Sequence, residues 1–122
     1  MIKVLVLKKD NLISSIRVNG HANYNEFGKD IVCAAVSTLV CTLDSYLSNL
    51  NLAKSIYEVK TDSNYDGIDE NFDIEFRFNQ SFFKDLKADA GIKFFLTGIK
   101  DISDSYSDYV NLEIQEEQND KI

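Results

Sequence analysis

Residues 72–78 read FDIEFRF, and the fold is decided on this run. Phe72, Ile74, Phe76 and Phe78 fall on one side of an extended chain, and Asp73, Glu75 and Arg77 on the other. Successive side chains of a strand point to opposite faces, so this alternation predicts a half-buried strand. Before it, residues 55–61 read as a further strand, and residues 31–50 form the clearest helix. There Val32, Val36, Leu39, Leu43, Tyr46 or Leu47, and Leu50 recur at helical spacing. Asp30 stands where an N-cap belongs. Residues 20–29, GHANYNEFGK, are polar and read as a loop. Residues 2–8 and 12–19 read as two strands, and the Asp10-Asn11 turn signal between them makes a hairpin.

After the central strand, residues 81–105 carry a second helical region. Ile92, Phe95, Leu96, Ile99 and Ile102 keep phase, whereas Phe82, Phe83 and Leu86 do not, so a break is expected near Gly91. Residues 109–115 close the chain as a strand with Val110, Leu112 and Ile114 inward. The order is ββαββαβ. It predicts an α+β single domain with a largely antiparallel sheet and two helices, spanning residues 1–115, and an acidic, frayed tail at 116–122.

The 122 residues fit one domain, and 44% hydrophobic with 27% charged residues are ordinary values for a folded chain. No internal repeat or Pro- or Ser-rich linker divides them. Lys and Arg number 13 and Asp and Glu 20, a formal charge of −7. That field repels phosphate backbones and anionic lipid and favours a basic partner, so neither direct nucleic-acid nor membrane binding is expected. The uncharged stretch from Ile31 to Leu43 is too short to span a bilayer, and the N-terminus has no recognisable secretory signal. Cys33 and Cys41, eight apart on one helix, have Cα atoms ~12 Å apart, beyond the roughly 7 Å a disulfide allows. Free thiols fit a reducing, cytoplasmic setting.

The residues with chemistry lie in GHANYNEFGKDIVCAAVS, residues 20–37. Cys33 falls in the first turn of the predicted helix, where the dipole and free N–H groups favour thiolate. N–H groups near Val32 and Cys33 are also placed to donate to an oxyanion. His21 is the only histidine. If the loop folds it onto the helix start, the two form a Cys–His pair able to attack a carbonyl and protonate a leaving amine. Ser37, four residues on, shares the face of Cys33. Each feature also has a purely structural reading. On that reading Cys33 is a packed cysteine, Asp30 only a cap, and Gly20 and Gly28 ordinary loop residues rather than hinges of a lid. Tyr24 and Phe27 either anchor the loop or wall a substrate site. Cys41 is read as packing.

The block GHA, five residues, then G-x-DIVCAAVS resembles the ribosomal-processing cysteine protease family of Gram-positive and related bacteria. Gly20, His21, Ala22, Gly28 and Asp30 to Ser37 all stand where that family's motif has them. GIKDISDSYSDYV, residues 98–110, is similar more loosely. The resemblance implies a protease that removes a short N-terminal extension from large-subunit ribosomal protein number twenty-seven, after an aromatic, apolar stretch. It implies His21 as base and Cys33 as nucleophile, with Asp30 and Ser37 in support and Gly20 lending mobility beside His21. It also implies a homodimer. The other class of function is a non-catalytic ribosome-assembly or binding module that grips a basic protein, with Cys33 merely buried.

Residues 62–73, DSNYDGIDENFD, approach a calcium loop. Asp62, Asn64, Asp66, Gly67 and Asp73 occupy its first, third, fifth, sixth and twelfth positions. The twelfth lacks the longer Glu, the eighth is Asp69, and the flanks read as strands, so the segment is taken as an acidic hairpin loop. One His and two Cys with seven residues between them do not match structural zinc spacing, and no metal or cofactor is expected.

Overall fold

The computed structural model describes residues 1–21, 25, 30–53, 56–61 and 72–117. They form a five-stranded sheet with two helices. The strands are β1 (Ile2–Lys9), β2 (Leu12–Gly20), β3 (Tyr57–Thr61), β4 (Phe72–Phe78) and β5 (Val110–Glu116). The helices are α1 (Ile31–Asn49) and α2 (Leu86–Ser105), and a short 3-10 helix, Gln80–Lys84, precedes α2. The sheet order is β3-β4-β2-β1-β5. All neighbours are antiparallel except β1 and β5, which are parallel. The fold is therefore the expected α+β arrangement, with one parallel pair at its edge.

The first hairpin turns on Asp10 and Asn11, with φ of 54° and 66°. Two positive φ values make the type I′ geometry that matches strand twist, and Asp and Asn tolerate it. Leu7 then faces Ser15 while Lys8 faces Ile13, so Ser14 is the extra residue of a bulge. Its hydroxyl donates to the Leu7 carbonyl at 3.2 Å.

Val4, Val6, Ile16, Val18, Ile74 and Phe76 bury one face of the sheet together with the two helices. The other face bears a charged ladder. Arg17 donates through Nε and Nη2 to both carboxylate oxygens of Asp73, at 3.1 and 2.9 Å. Arg77 donates to Glu75 at 2.6 Å. The Asp73 hydrogen bond and charge raise the Arg17 guanidinium above its already high ordinary value. These pairs face water, so each is worth at most ~1 kcal/mol. The calcium-like segment joins two antiparallel strands, and its last carboxylate, Asp73, is the one Arg17 holds. Residues 62–71 of that segment lie outside the described residues.

Three expectations about packing need correction. The buried stripe of α1 is Val32, Val36, Val40, Leu43 and Leu47, and Tyr46 is exposed. Leu39 and Tyr46 instead meet α2 at its glycines. A Cβ on Gly98 would stand 2.9 Å from Leu39 Cδ1, and one on Gly91 2.5 Å from Tyr46 Cε2. Gly91 is thus a point of close helix approach and not a break. The break falls at Asp85, which ends the 3-10 helix and caps α2 through Lys87 and Ala88 N–H. Ile114 is exposed rather than inward, because β5 is an edge strand with a neighbour on one side only. At its end the Glu117 N–H still donates to the Lys8 carbonyl at 2.6 Å, so ordered pairing runs past residue 115. By length and composition α1 could cross a membrane, at 19 residues and mean hydropathy 1.6. Here five of its side chains are buried in the core.

Candidate active site

The site lies at the end of the sheet where β2 stops and β1 starts. Gly20 is paired with Ile2 on one side and with Phe72 on the other. Its φ is +101°, and a Cβ there would collide with the Met1 carbonyl oxygen. Both facts require glycine. Gly20 therefore sets the direction in which the chain leaves the sheet, and His21 is the first residue beyond it.

α1 supplies the other wall. Asp30 has an extended backbone, φ −81° and ψ 101°, and its Oδ1 accepts from Val32 N–H and Cys33 N–H, both at 3.0 Å. The Ala34 N–H donates to the Asp30 carbonyl at 3.1 Å. Asp30 is thus the N-cap the sequence predicts, and it is buried, 7% exposed. Its other oxygen, Oδ2, accepts a longer bond from Asn25 N–H at 3.3 Å. This ties the one described residue between 22 and 29 to the helix start.

Cys33 lies in the first turn, half-buried, as is His21. A ring nitrogen of His21, a carboxylate oxygen of Asp30 and the Cys33 Sγ all lie within 4.8 Å of one another. The imidazole and thiol that the sequence places in separate elements do meet, and the capping carboxylate joins them. Ser37 is half-buried one turn further along α1, about 40° around the helix from Cys33. Tyr24, Phe27 and Gly28 lie outside the described residues.

Two readings change. The N–H groups of Val32 and Cys33 are not oxyanion donors here, because Asp30 Oδ1 takes both. Cys41 is exposed and does not pack. It stands about 140° around α1 from buried Val36 at 100° per residue, well off the core stripe. Two contributions of the backbone have no signature in the sequence, namely the Met1 carbonyl under Gly20 and the Asn25 N–H on Asp30. Neither depends on the identity of the side chain that supplies it.

A thiol in this position feels the positive end of the α1 dipole, which favours thiolate, the nucleophilic form. An imidazole within reach can take or return its proton. The set suits acyl transfer through a thioester.

Comparison with known proteins agrees. No curated protein matches the chain. The structure of SMU.848 from Streptococcus mutans is similar, with TM-score 0.75, 26% identity and 96% of each chain covered. The fold is also similar to that of the essential ribosomal processing protease Prp from S. aureus. Its complexes with a covalently linked product peptide and with a substrate peptide give TM-scores of 0.67 and 0.66. Both are 23% identical over 93% of this chain and 99% of that one. Residues 1–111 match the family model described as cysteine protease Prp, and the chain accordingly belongs to this family of cysteine proteases.

Proposed function

We propose that the enzyme removes a short N-terminal extension from large-subunit ribosomal protein number twenty-seven, cutting after an aromatic, apolar stretch. The carrying observation is the meeting of His21, Asp30 and Cys33 within 4.8 Å at the start of α1. In this reading His21 takes the Cys33 proton, and the sulfur attacks the scissile carbonyl. The imidazolium then gives the proton to the leaving amine, and water releases the thioester by the reverse sequence. Asp30 holds the helix start and stabilises the imidazolium. Gly20 directs His21, and Ser37 lines the pocket beside the sulfur. Tyr24, Phe27 and Gly28 belong to the segment that would meet the peptide.

The substrate class is supported by the S. aureus neighbour, a ribosomal processing protease crystallised with substrate and product peptides. The formal charge of −7 also supports it, since long-range attraction steers a basic ribosomal protein and weakens with salt. The reading includes a cytoplasmic homodimer. The helix layer supports the dimer: α1 carries one charged side chain, Asp44, and Phe94 of α2 is 78% exposed beside a groove of about 380 Å³ between the helices.

The test is a peptide spanning the extension encoded in the same genome. Wild-type protein is expected to cut it at the N-terminus found in the mature ribosome, and Cys33→Ala and His21→Ala to leave it whole while still binding it. Cleavage by Cys33→Ala refutes the mechanism. Cleavage elsewhere, or none by the wild type, refutes the substrate.

A further inference from the structure

We infer that His21, Asp30 and Cys33 also form a metal site, which takes a soft divalent ion, zinc above all, and holds the peptidase off while it is bound. The three side chains offer one nitrogen, one oxygen and one sulfur, all within 4.8 Å of one another. Around a tetrahedral zinc, with bonds of ~2.0–2.3 Å, such donors stand roughly 3.4–3.6 Å apart. Closing the set therefore asks for movements of about an ångström, within reach of small side-chain rotations.

The set is also held in advance. Asp30 is buried, and its Oδ1 is pinned by the N–H groups of Val32 and Cys33 at 3.0 Å. Hydrogen bonds of this kind orient a ligating carboxylate and raise metal affinity. The sulfur sits on the first turn of α1, so its position follows from the same cap. A thiolate, a carboxylate and a neutral imidazole carry two negative charges, which match the ion. The thiolate and imidazole select zinc or cobalt over magnesium or calcium, which prefer oxygen ligands. Three protein ligands leave a fourth position for water. The spacing of Cys33 and Cys41 could not announce this site, because Cys41 takes no part and His21 arrives from the end of β2.

Coordination takes the sulfur as thiolate and a ring nitrogen of the neutral imidazole, so the thiol proton leaves to solvent. The bound ion thereby occupies the nucleophile and the base together. Binding rests on geometry alone, and the inhibition rests on the function proposed above.

The test uses the full chain, reduced and stripped with a chelator. Cobalt(II) is expected to bind one per chain with a thiolate-to-cobalt charge-transfer band in the near ultraviolet, and zinc to displace it. Cys33→Ser, Cys33→Ala and His21→Ala should each lose the band with circular dichroism unchanged, and Cys41→Ser should keep it. Saturating zinc should slow iodoacetamide alkylation of Cys33 at least about tenfold, with reversal by chelator. No band in the wild type, a band surviving Cys33→Ser, or alkylation unaffected by zinc overturns the site. Peptide cleavage that continues at saturating zinc overturns the switch. A metal-free protein that cuts no peptide yet shows the Cys33-dependent band refutes the proposed function and leaves the metal site standing.

Discussion

The proposed function gives Asp30 two duties, and two substitutions separate them. As a cap its Oδ1 holds two N–H groups at 3.0 Å, and as a charge it lies within 4.8 Å of His21 and Cys33. Asn caps about as well as Asp, whereas Ala costs about 0.5–2 kcal/mol. At ~2.1 cal/mol/K per residue, 122 residues give about 4 °C of Tm per kcal/mol. Asp30→Ala should therefore lower Tm by roughly 2–8 °C and Asp30→Asn by about 1 °C or less. Both remove the charge. A full charge 4.8 Å from an imidazolium is worth about 3.5 kcal/mol at an effective dielectric of ~20 and under 1 kcal/mol in bulk water. The same carboxylate repels a thiolate at Cys33, also within 4.8 Å, and this offsets part of the gain. The balance turns more favourable when negative charge leaves the sulfur for the substrate carbonyl. About 1–2 kcal/mol should then survive, roughly a 5- to 30-fold loss in kcat/KM. Alkylation of Cys33, which keeps the charge near the sulfur, should change by about twofold or less. Peptide cleavage, alkylation and thermal unfolding of the two variants decide the matter. Wild-type cleavage by Asp30→Asn would refute the electrostatic duty. Equal destabilisation of Asn and Ala would refute the capping argument, and alkylation falling as far as cleavage would mean that the thiol itself was displaced.

Three further outcomes follow from the packing. Gly20→Ala should lose at least ~2 kcal/mol in denaturant titration, because the positive φ alone costs about 1–2 kcal/mol and the Met1 carbonyl must also move; a loss under ~0.5 kcal/mol would show that the chain turns differently beside His21. Leu47→Ala, at a fully buried position, should cost about 2–5 kcal/mol, and a cost under ~1 kcal/mol would place α1 in another rotation. Phe94→Asp should leave the unfolding midpoint within about 2 °C of wild type. On the proposed dimer, sedimentation should find the wild type dimeric and this variant monomeric, and an unchanged dimer would move the interface off this groove.

The strands were legible because period-two patterns report one face at a time. FDIEFRF matches β4 from Phe72 to Phe78, and Asp10-Asn11 marks the turn its φ values confirm. The helices were legible in place and mostly in rotation, since Val32, Val36, Leu43, Ile92, Phe95 and Ile99 are buried as their spacing predicts. Leu39 and Tyr46 look like core residues by hydrophobicity, yet they point toward a second helix whose position no local pattern encodes. Gly91 reads as a breaker for the same reason: its small size serves a neighbour 45 residues away in the chain. In the site, residue types pointed to His21 and Cys33, spacing gave Asp30 as a cap, and only the family resemblance added Asp30 to the site. Their approach to 4.8 Å depends on where β2 ends against β1, a property of the sheet register. Bonds donated by backbone groups, such as Asn25 N–H on Asp30, leave no trace in composition at all.

An N-cap and an oxyanion hole compete for the same N–H groups, so the start of one helix serves one of them at a time. In α1 the cap prevails: Val32 and Cys33 donate to Asp30, and what the helix lends the sulfur is its field and a fixed position. Capping alone does not explain the choice of aspartate, since Asn and Ser close a first turn as well. A neutral cap would hold Cys33 in the same place and leave His21 without a counter-charge. A carboxylate elsewhere in the loop would supply the charge and leave the first turn open. Only a charged cap can do both from one position, and that is what the proposed function asks of the residue that starts the helix.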